Sequence, residues 1–185
     1  MLIEGFNYEQ ADCENISASG AALSMLLNYN NISTTARETT DLIRVTFGSN
    51  EFLDWYTKIH SLADSTSDIM FSCMSYILAT RFTEVDYGVI DTSTDKVRHS
   101  FLKRRIPLLI HGRFPYGARL QPNSVILTGY VGTNIIVHDP LGNAMNNYRD
   151  KYGMNVIYPI EVLKYWVGNS QIMRAIRIIP KCMSQ

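Results

Sequence analysis

Through the first eighty residues apolar side chains recur every three or four positions; beyond them the pattern changes to alternation and short apolar runs. In 17–29 the stripe is Ala18, Ala21, Ala22, Met25, Leu26 and Tyr29, with Ser17 or Ser19 as cap and Asn30-Asn31 as terminator. A second helix starts at Ser33 or Thr34, turns Ala36, Leu42, Ile43 and Phe47 inward and stops at Gly48. A third covers 51–62, with Phe52, Trp55, Tyr56 and Ile59 on one face. A fourth covers 68–80 and carries Ile69, Met70, Cys73, Ile77 and Leu78.

From 83 to 90 β-branched and aromatic residues predict a strand. Thr94-Asp95 then caps a short helix reaching Phe101 and Leu102, and 107–111 is an apolar strand. Pro115, Gly117 and Pro122 make 114–122 a loop. Two strands, 124–131 and 135–138, are joined through Gly132-Thr133-Asn134 as a hairpin. A turn at 139–143, a short helix at 159–167 and a last strand at 173–179 complete the chain. Helices first and an antiparallel sheet after them predict an α+β domain. Its helical half is about 1–81, its sheet half about 82–180, and 1–185 form one domain.

Composition narrows the function classes. With 185 residues, 46% hydrophobic and 18% charged, the chain can bury a core and is not a disordered tail. Seventeen basic residues balance seventeen acidic ones, so the surplus that phosphate-backbone binding demands is missing and nucleic acid is not an expected partner. Cys13, Cys73 and Cys182 are too sparse for a disulfide framework or a zinc motif. Metal-binding histidine spacings and Gly-rich phosphate loops are absent, so neither metal nor cofactor is expected. The N-terminus does not read as a signal peptide, and no apolar run approaches the about 20 residues that span a bilayer. A soluble protein is expected.

Chemistry concentrates in the second half, in Ile106-Pro-Leu-Leu-Ile-His-Gly-Arg-Phe, then Asn123-Ser-Val-Ile-Leu-Thr-Gly-Tyr, then Ile135-Ile-Val-His-Asp-Pro-Leu-Gly-Asn. This block resembles the papain-like cysteine peptidases of the bacteriocin-processing type, especially the stand-alone forms of phages and bacteria. Tyr148, Gly153 and Tyr158-Pro159 resemble that family's trailing tyrosines and glycine. Gln10-Ala11-Asp12 resembles its Q-x-D segment, and Ala18 to Met25 the start of its nucleophile helix. Such enzymes need a thiolate at a helix N-terminus, a histidine base, an acid or amide that orients the imidazole, and an oxyanion donor. The resemblance puts the nucleophile at Ala18, the base at Asn123, the orienting residue at Asp139 and the oxyanion donor at Gln10. A methyl group has no nucleophile, and an amide takes no proton at neutral pH. Loss of both predicts essentially no peptidase activity, hence a pseudo-peptidase used for binding or as a structural component.

A second arrangement is open. Cys13 follows Asp12, which would cap a helix beginning early; Asn7 would then serve as oxyanion donor, His111 as base and Asp139 as orienting group. That reading is an active hydrolase or acyltransferase acting on peptide or peptidoglycan amides. Cys73 reads as core, Cys182 as tail, His60 and His99 as solvated, and His138 as pointing away from the face of Asp139. Lys103-Arg104-Arg105, followed by Arg113 and Arg119 interleaved with Phe114 and Tyr116, is the one basic concentration. Arg113, Phe114, Tyr116 and Arg119 are the expected binding lip. The resemblance implies a protein or peptide partner, with a cell-wall peptide as one candidate, in a phage virion or the host cytoplasm.

Overall fold

The computed structural model describes residues 1–12, 14–59, 66–93, 96–167 and 173–180. Expectations for Cys13, His60, Thr94-Asp95 and Cys182 lie outside the described residues. Four helices come first: α1 (Ala18–Tyr29), α2 (Ala36–Phe47), α3 (Asn50–Ile59) and α4 (Thr66–Arg81). The strands are β1 (Val85–Thr92), β2 (Leu108–Tyr116), β3 (Arg119–Val131), β4 (Asn134–His138), β5 (Val156–Pro159) and β6 (Met173–Pro180), with α5 (Ile160–Trp166) after β5. They form one six-stranded sheet in the order β1-β6-β2-β3-β4-β5, antiparallel at every pairing. The α+β reading of helices followed by an antiparallel sheet is what the chain adopts.

Helix α1 begins where Ser17 accepts a hydrogen bond from the Gly20 N–H. It is apolar nearly all round because it is enclosed, packing on α2, β3 and β2. Gly20 leaves no room for a Cβ against Thr40, so α1 and α2 cross closely, and Thr39 Oγ1 donates to the Gly20 carbonyl at 2.7 Å. Helix α2 starts later than the sequence pattern predicts. Thr35 and Glu38 form a capping box, and the Ala36 N–H donates to the Glu9 carboxylate at 2.6 Å. Its inward face is Ala36, Thr39, Thr40, Ile43 and Thr46, whereas Phe47 is exposed and Leu42 half-buried. The small threonines, not the large apolar residues, meet α1. On α3, Phe52 is buried and Ile59 exposed.

The largest departure is at 114–122. This segment is not a loop: β2 and β3 pair without interruption from Leu108↔Leu127 to Tyr116↔Arg119 around the turn Gly117-Ala118. The prolines are tolerated because β6 pairs with β2 only at Leu109 and Ile110, and β4 with β3 only from Ile126 onward. Pro115 and Pro122 therefore lie where the outer side of each strand needs no N–H donor. Phe114, expected on the lip, is 1% exposed. Its ring centroid lies 5.2 Å from that of Trp166 in α5, beneath the sheet face that α1 does not cover. Burying it is worth about 2–3 kcal/mol. Strand β1 begins at Val85 rather than 83, and the short helix before β2 is a wide π-type turn at Val97–Phe101 followed by a 3-10 turn at Leu102–Arg104. No helix of the described residues is long and apolar enough to cross a membrane.

Candidate functional site

Asn123 and Ser124 are neighbours on β3, so their side chains leave opposite faces of the sheet. On the first face Asn123 Nδ2 donates to Asp139 Oδ1 at 2.9 Å and to the Tyr148 hydroxyl at 3.0 Å. Asp139 directly follows β4 and is wholly buried. Its carboxylate also accepts from the Tyr158 hydroxyl at 2.7 Å, the Tyr148 hydroxyl at 3.3 Å and the Leu141 N–H at 2.9 Å. Its backbone is held as firmly. The Asp139 N–H donates to the Gly153 carbonyl at 2.9 Å, and its carbonyl accepts from the Tyr8 hydroxyl at 2.9 Å. Gly153 leaves no room for a Cβ against that carbonyl. Burial pushes the Asp139 carboxyl up to about 6, against the pull of its four donors. Burial first, and then the Asp139 charge, raise Tyr148 and Tyr158 well above the usual phenol range, so both remain donors. Asn123 Oδ1 is buried with no hydrogen-bond partner among the described residues.

On the opposite face Ser19 Oγ, in the first turn of α1, lies 2.8 Å from Ser124 Oγ, which lies 2.8 Å from His111 Nδ1. All three residues are buried, and the Phe71 ring meets the imidazole edge-on at 6.3 Å. Burial pushes His111 down to about 4, so it is neutral at pH 7. His138 is buried too, and burial lowers it to about 4; its Nδ1 accepts from the Asn155 N–H at 3.1 Å. The side-chain alternation places it away from the Asp139 carboxylate, among Phe6 and Tyr8.

Of the four positions carried over from the family, Asn123 and Asp139 are in direct contact. The Ser19–Ser124 bond places the start of α1 beside the middle of β3, and Ala18 and Asn123 each adjoin one of its partners in sequence. Gln10 is exposed, and the next residue, Ala11, donates its N–H to the Pro140 carbonyl at 2.9 Å. Ala11 packs in a small cluster with Ala21 and Ala36, against which Ala18 and Leu141 rest. Position 18 offers only a methyl group and position 123 an amide, while Asp139 keeps its full set of donors. Of the alternative set, Cys13 lies outside the described residues, and His111 and Asp139 are not brought together. His111 shares its face with Ser124, opposite to Asp139. Asp12 closes a turn instead of capping a helix: its Oδ1 accepts from the N–H groups of Glu14, Asn15 and Ile16. The helix starts at Ala18. Asn7 is exposed. Cys73 is buried, and burial pushes its thiol up to about 12.

No family model matches the sequence, and neither does any curated protein. Solved structures do match. One is a double glycine motif protease from an AMS/PCAT transporter in complex with the leader peptide; identity is 14%, coverage 96% of this chain and 94% of that one, and TM-score 0.52. Another is the peptidase domain of Streptococcus ComA, a bifunctional ABC transporter of a quorum-sensing pathway, at 14% identity, 95% and 100% coverage and TM-score 0.52. A third is a C39-like peptidase from Bacillus anthracis, at 16% identity, 96% of both chains and TM-score 0.56. The chain has the papain-like fold of the C39 peptidase domains.

Within that fold, the donors that hold Asp139 are the residues whose roles the sequence left unassigned. Tyr148 and Tyr158 belong to the trailing motif, but spacing alone assigns neither to a carboxylate. The Ser19–Ser124–His111 chain carried no sequence signal, because two serines and a histidine 105 and 13 positions apart meet only through the crossing of α1 and β3 and the β2–β3 register. The lip is modified rather than removed. Arg113 and Arg119 are exposed on the hairpin. The Tyr116 ring meets the Tyr148 ring at a tilt of 36° with centroids 5.6 Å apart, Lys151 Nζ lies 5.6 Å above the Tyr116 ring, and the Gly117 N–H donates to Asn147 Oδ1 at 2.6 Å. The hairpin tip is thus tied to the loop that supplies a donor to Asp139. Among the described residues no group of three or more His, Cys, Asp or Glu side chains is placed to hold a metal ion.

Proposed function

We propose that this chain is a peptidase-fold protein without peptidase chemistry, which binds a peptide through the vestigial cleft and the β2–β3 hairpin. One observation supports the reading: Asp139 is buried with four hydrogen-bond donors, and the positions that the resemblance assigns to thiol and imidazole hold Ala18 and Asn123. Without a thiolate no acyl-enzyme forms, and without an imidazole no proton leaves a nucleophile or reaches a leaving amine. The same fold in a structure bound to a leader peptide supports a peptide occupant. Arg113, Tyr116 and Arg119 give the hairpin a cationic, partly aromatic rim suited to an extended acidic or amide-rich chain. A cell-wall peptide is the first partner to test, and a phage component or a factor in the host cytoplasm is the setting the resemblance favours.

The test uses the wild-type chain. Peptide libraries and purified peptidoglycan are incubated with it and analysed by mass spectrometry, and binding of the same peptides is read by fluorescence polarisation. Binding weakened by Tyr116→Ala, with no cleavage, supports the proposal. Turnover that disappears in Cys13→Ser would overturn it in favour of the active hydrolase.

A further inference from the structure

The basic concentration of the sequence is split by the fold. Strand β2 runs from Leu108 to Tyr116, roughly 25 Å at about 3.3 Å per residue. Arg113 and Arg119 therefore lie toward the hairpin tip, while Lys103, Arg104 and Arg105 stay at the other end, where α1 finishes. There the structure has a cavity of about 480 Å³, within the range of small-molecule sites, about 300–1,000 Å³. Arg104 and Arg105 stand on its rim, and Tyr29, Ile106, Pro107 and Ile178 make most of its wall.

Two features show that the rim is held in shape. Arg105 has φ +58, a left-handed conformation that disfavours a side chain with a Cβ. It is pinned there by its N–H to the Leu102 carbonyl at 2.9 Å, by Ile106 N–H to the Phe101 carbonyl at 3.0 Å and by the Tyr29 hydroxyl on its own carbonyl at 3.2 Å. On the facing wall Asn31 is also left-handed, with φ +63. Lys103, Arg104 and Arg105 are all exposed, and no ion pair among the described residues includes any of them. The carbonyl end of α1 carries about half a negative charge, which offsets only part of two guanidinium groups.

We infer that this cavity binds an anion with an apolar body, a carboxylate or phosphate monoester whose head lies between Arg104 and Arg105 and whose hydrocarbon part rests on Tyr29, Pro107 and Ile178. Guanidinium groups suit such heads because their paired N–H donors match two oxygens at once. The apolar wall would exclude free inorganic phosphate as a strong ligand.

Titration calorimetry of the full chain with octyl phosphate and sodium octanoate, below their micelle concentrations, tests the inference. Octanol and octyltrimethylammonium serve as neutral and cationic comparisons. At least one anion should bind ten-fold or more tightly than both comparisons, and the preferred head identifies phosphate or carboxylate. Arg104→Gln with Arg105→Gln should weaken that binding at least ten-fold, and Lys58→Gln on α3 should leave it unchanged. Should the double variant misfold, the wild type still decides: anion binding falls steeply between 0.05 and 0.5 M salt, and octanol binding does not. Equal affinity for octanol and the anions, or binding indifferent to both salt and the double substitution, would overturn the inference and leave the arginines as partners of the α1 dipole.

Discussion

Asn123 and Ser124 are consecutive on one strand, and each anchors a buried polar network, but the networks hold different things. The Asn123 face encloses a carboxylate with two phenols, an amide and a backbone N–H aimed at it. The Ser124 face encloses hydroxyls and one imidazole, groups that can each give or take a hydrogen bond without charge. Burial drives both networks toward neutrality, moving the carboxyl up to about 6 and the imidazole down to about 4. A carboxylate enclosed this way needs all its donors together, whereas a neutral relay survives on fewer. Asp139 holds β4, the 139–153 turn and Tyr158 of β5 together, a structural task independent of catalysis.

The strongest way to break the contrast is Asp139→Ala. Several buried donors lose their acceptor at once, each at a cost of about 1–3 kcal/mol, and urea unfolding should show a loss of about 3–5 kcal/mol. A loss under about 1 kcal/mol would mean that water replaces the carboxylate and that the enclosure is not structural.

Acid titration sharpens the contrast next. The raised Asp139 contributes stability in full below the unfolded value of 3.8 and loses it as pH rises through about 6. His111 and His138, depressed to about 4, contribute in full above their ordinary 6.5 and lose it as pH falls through about 4. Two histidines oppose one carboxyl, so the folded state should weaken as pH drops from 6.5 toward 4, by about 1.4 kcal/mol per unit. Asp139→Asn should about double that slope, because the opposing group is gone. A flat profile for the wild type would contradict the burial of both imidazoles.

Ser124→Ala should cost about 1–2 kcal/mol, since Ser19 and His111 both lose a buried partner. Circular dichroism melts of the single variant and of Ser124→Ala combined with His111→Leu will separate the two bonds, and a single-variant cost equal to that of Asp139→Ala would erase the distinction between the faces. The smallest effect is expected for Asn123→His. The imidazole can replace the amide donor to Asp139, so its melting point should stay within a few degrees of wild type while Asn123→Ala falls further.

How much of this was readable beforehand varies with the range of the interaction. The α1 stripe, its Ser17 cap, the Gly132-Thr133-Asn134 hairpin and the turn after Asp139 follow from neighbours a few residues apart, and all appear where the pattern puts them. The 114–122 segment reads as a loop because Pro and Gly usually break strands, and its prolines are harmless because no outer strand among the described residues pairs with this part of the hairpin. Phe114 was misplaced for the same reason, since a residue counted as loop is counted as exposed. In α2 the pattern favoured large apolar residues, but the close crossing at Gly20 selects threonines.

The sequence by itself determined the α+β order and the helix and hairpin signals, because these depend on side-chain type and local spacing. The tertiary structure alone decided that Tyr148 and Tyr158 serve Asp139, that His111 meets Ser124 rather than the acid, and that one basic run is divided between a hairpin tip and a cavity. Those outcomes depend on which strand faces which helix, and sheet register, set by burial across the whole molecule, is not encoded in any short stretch of chain.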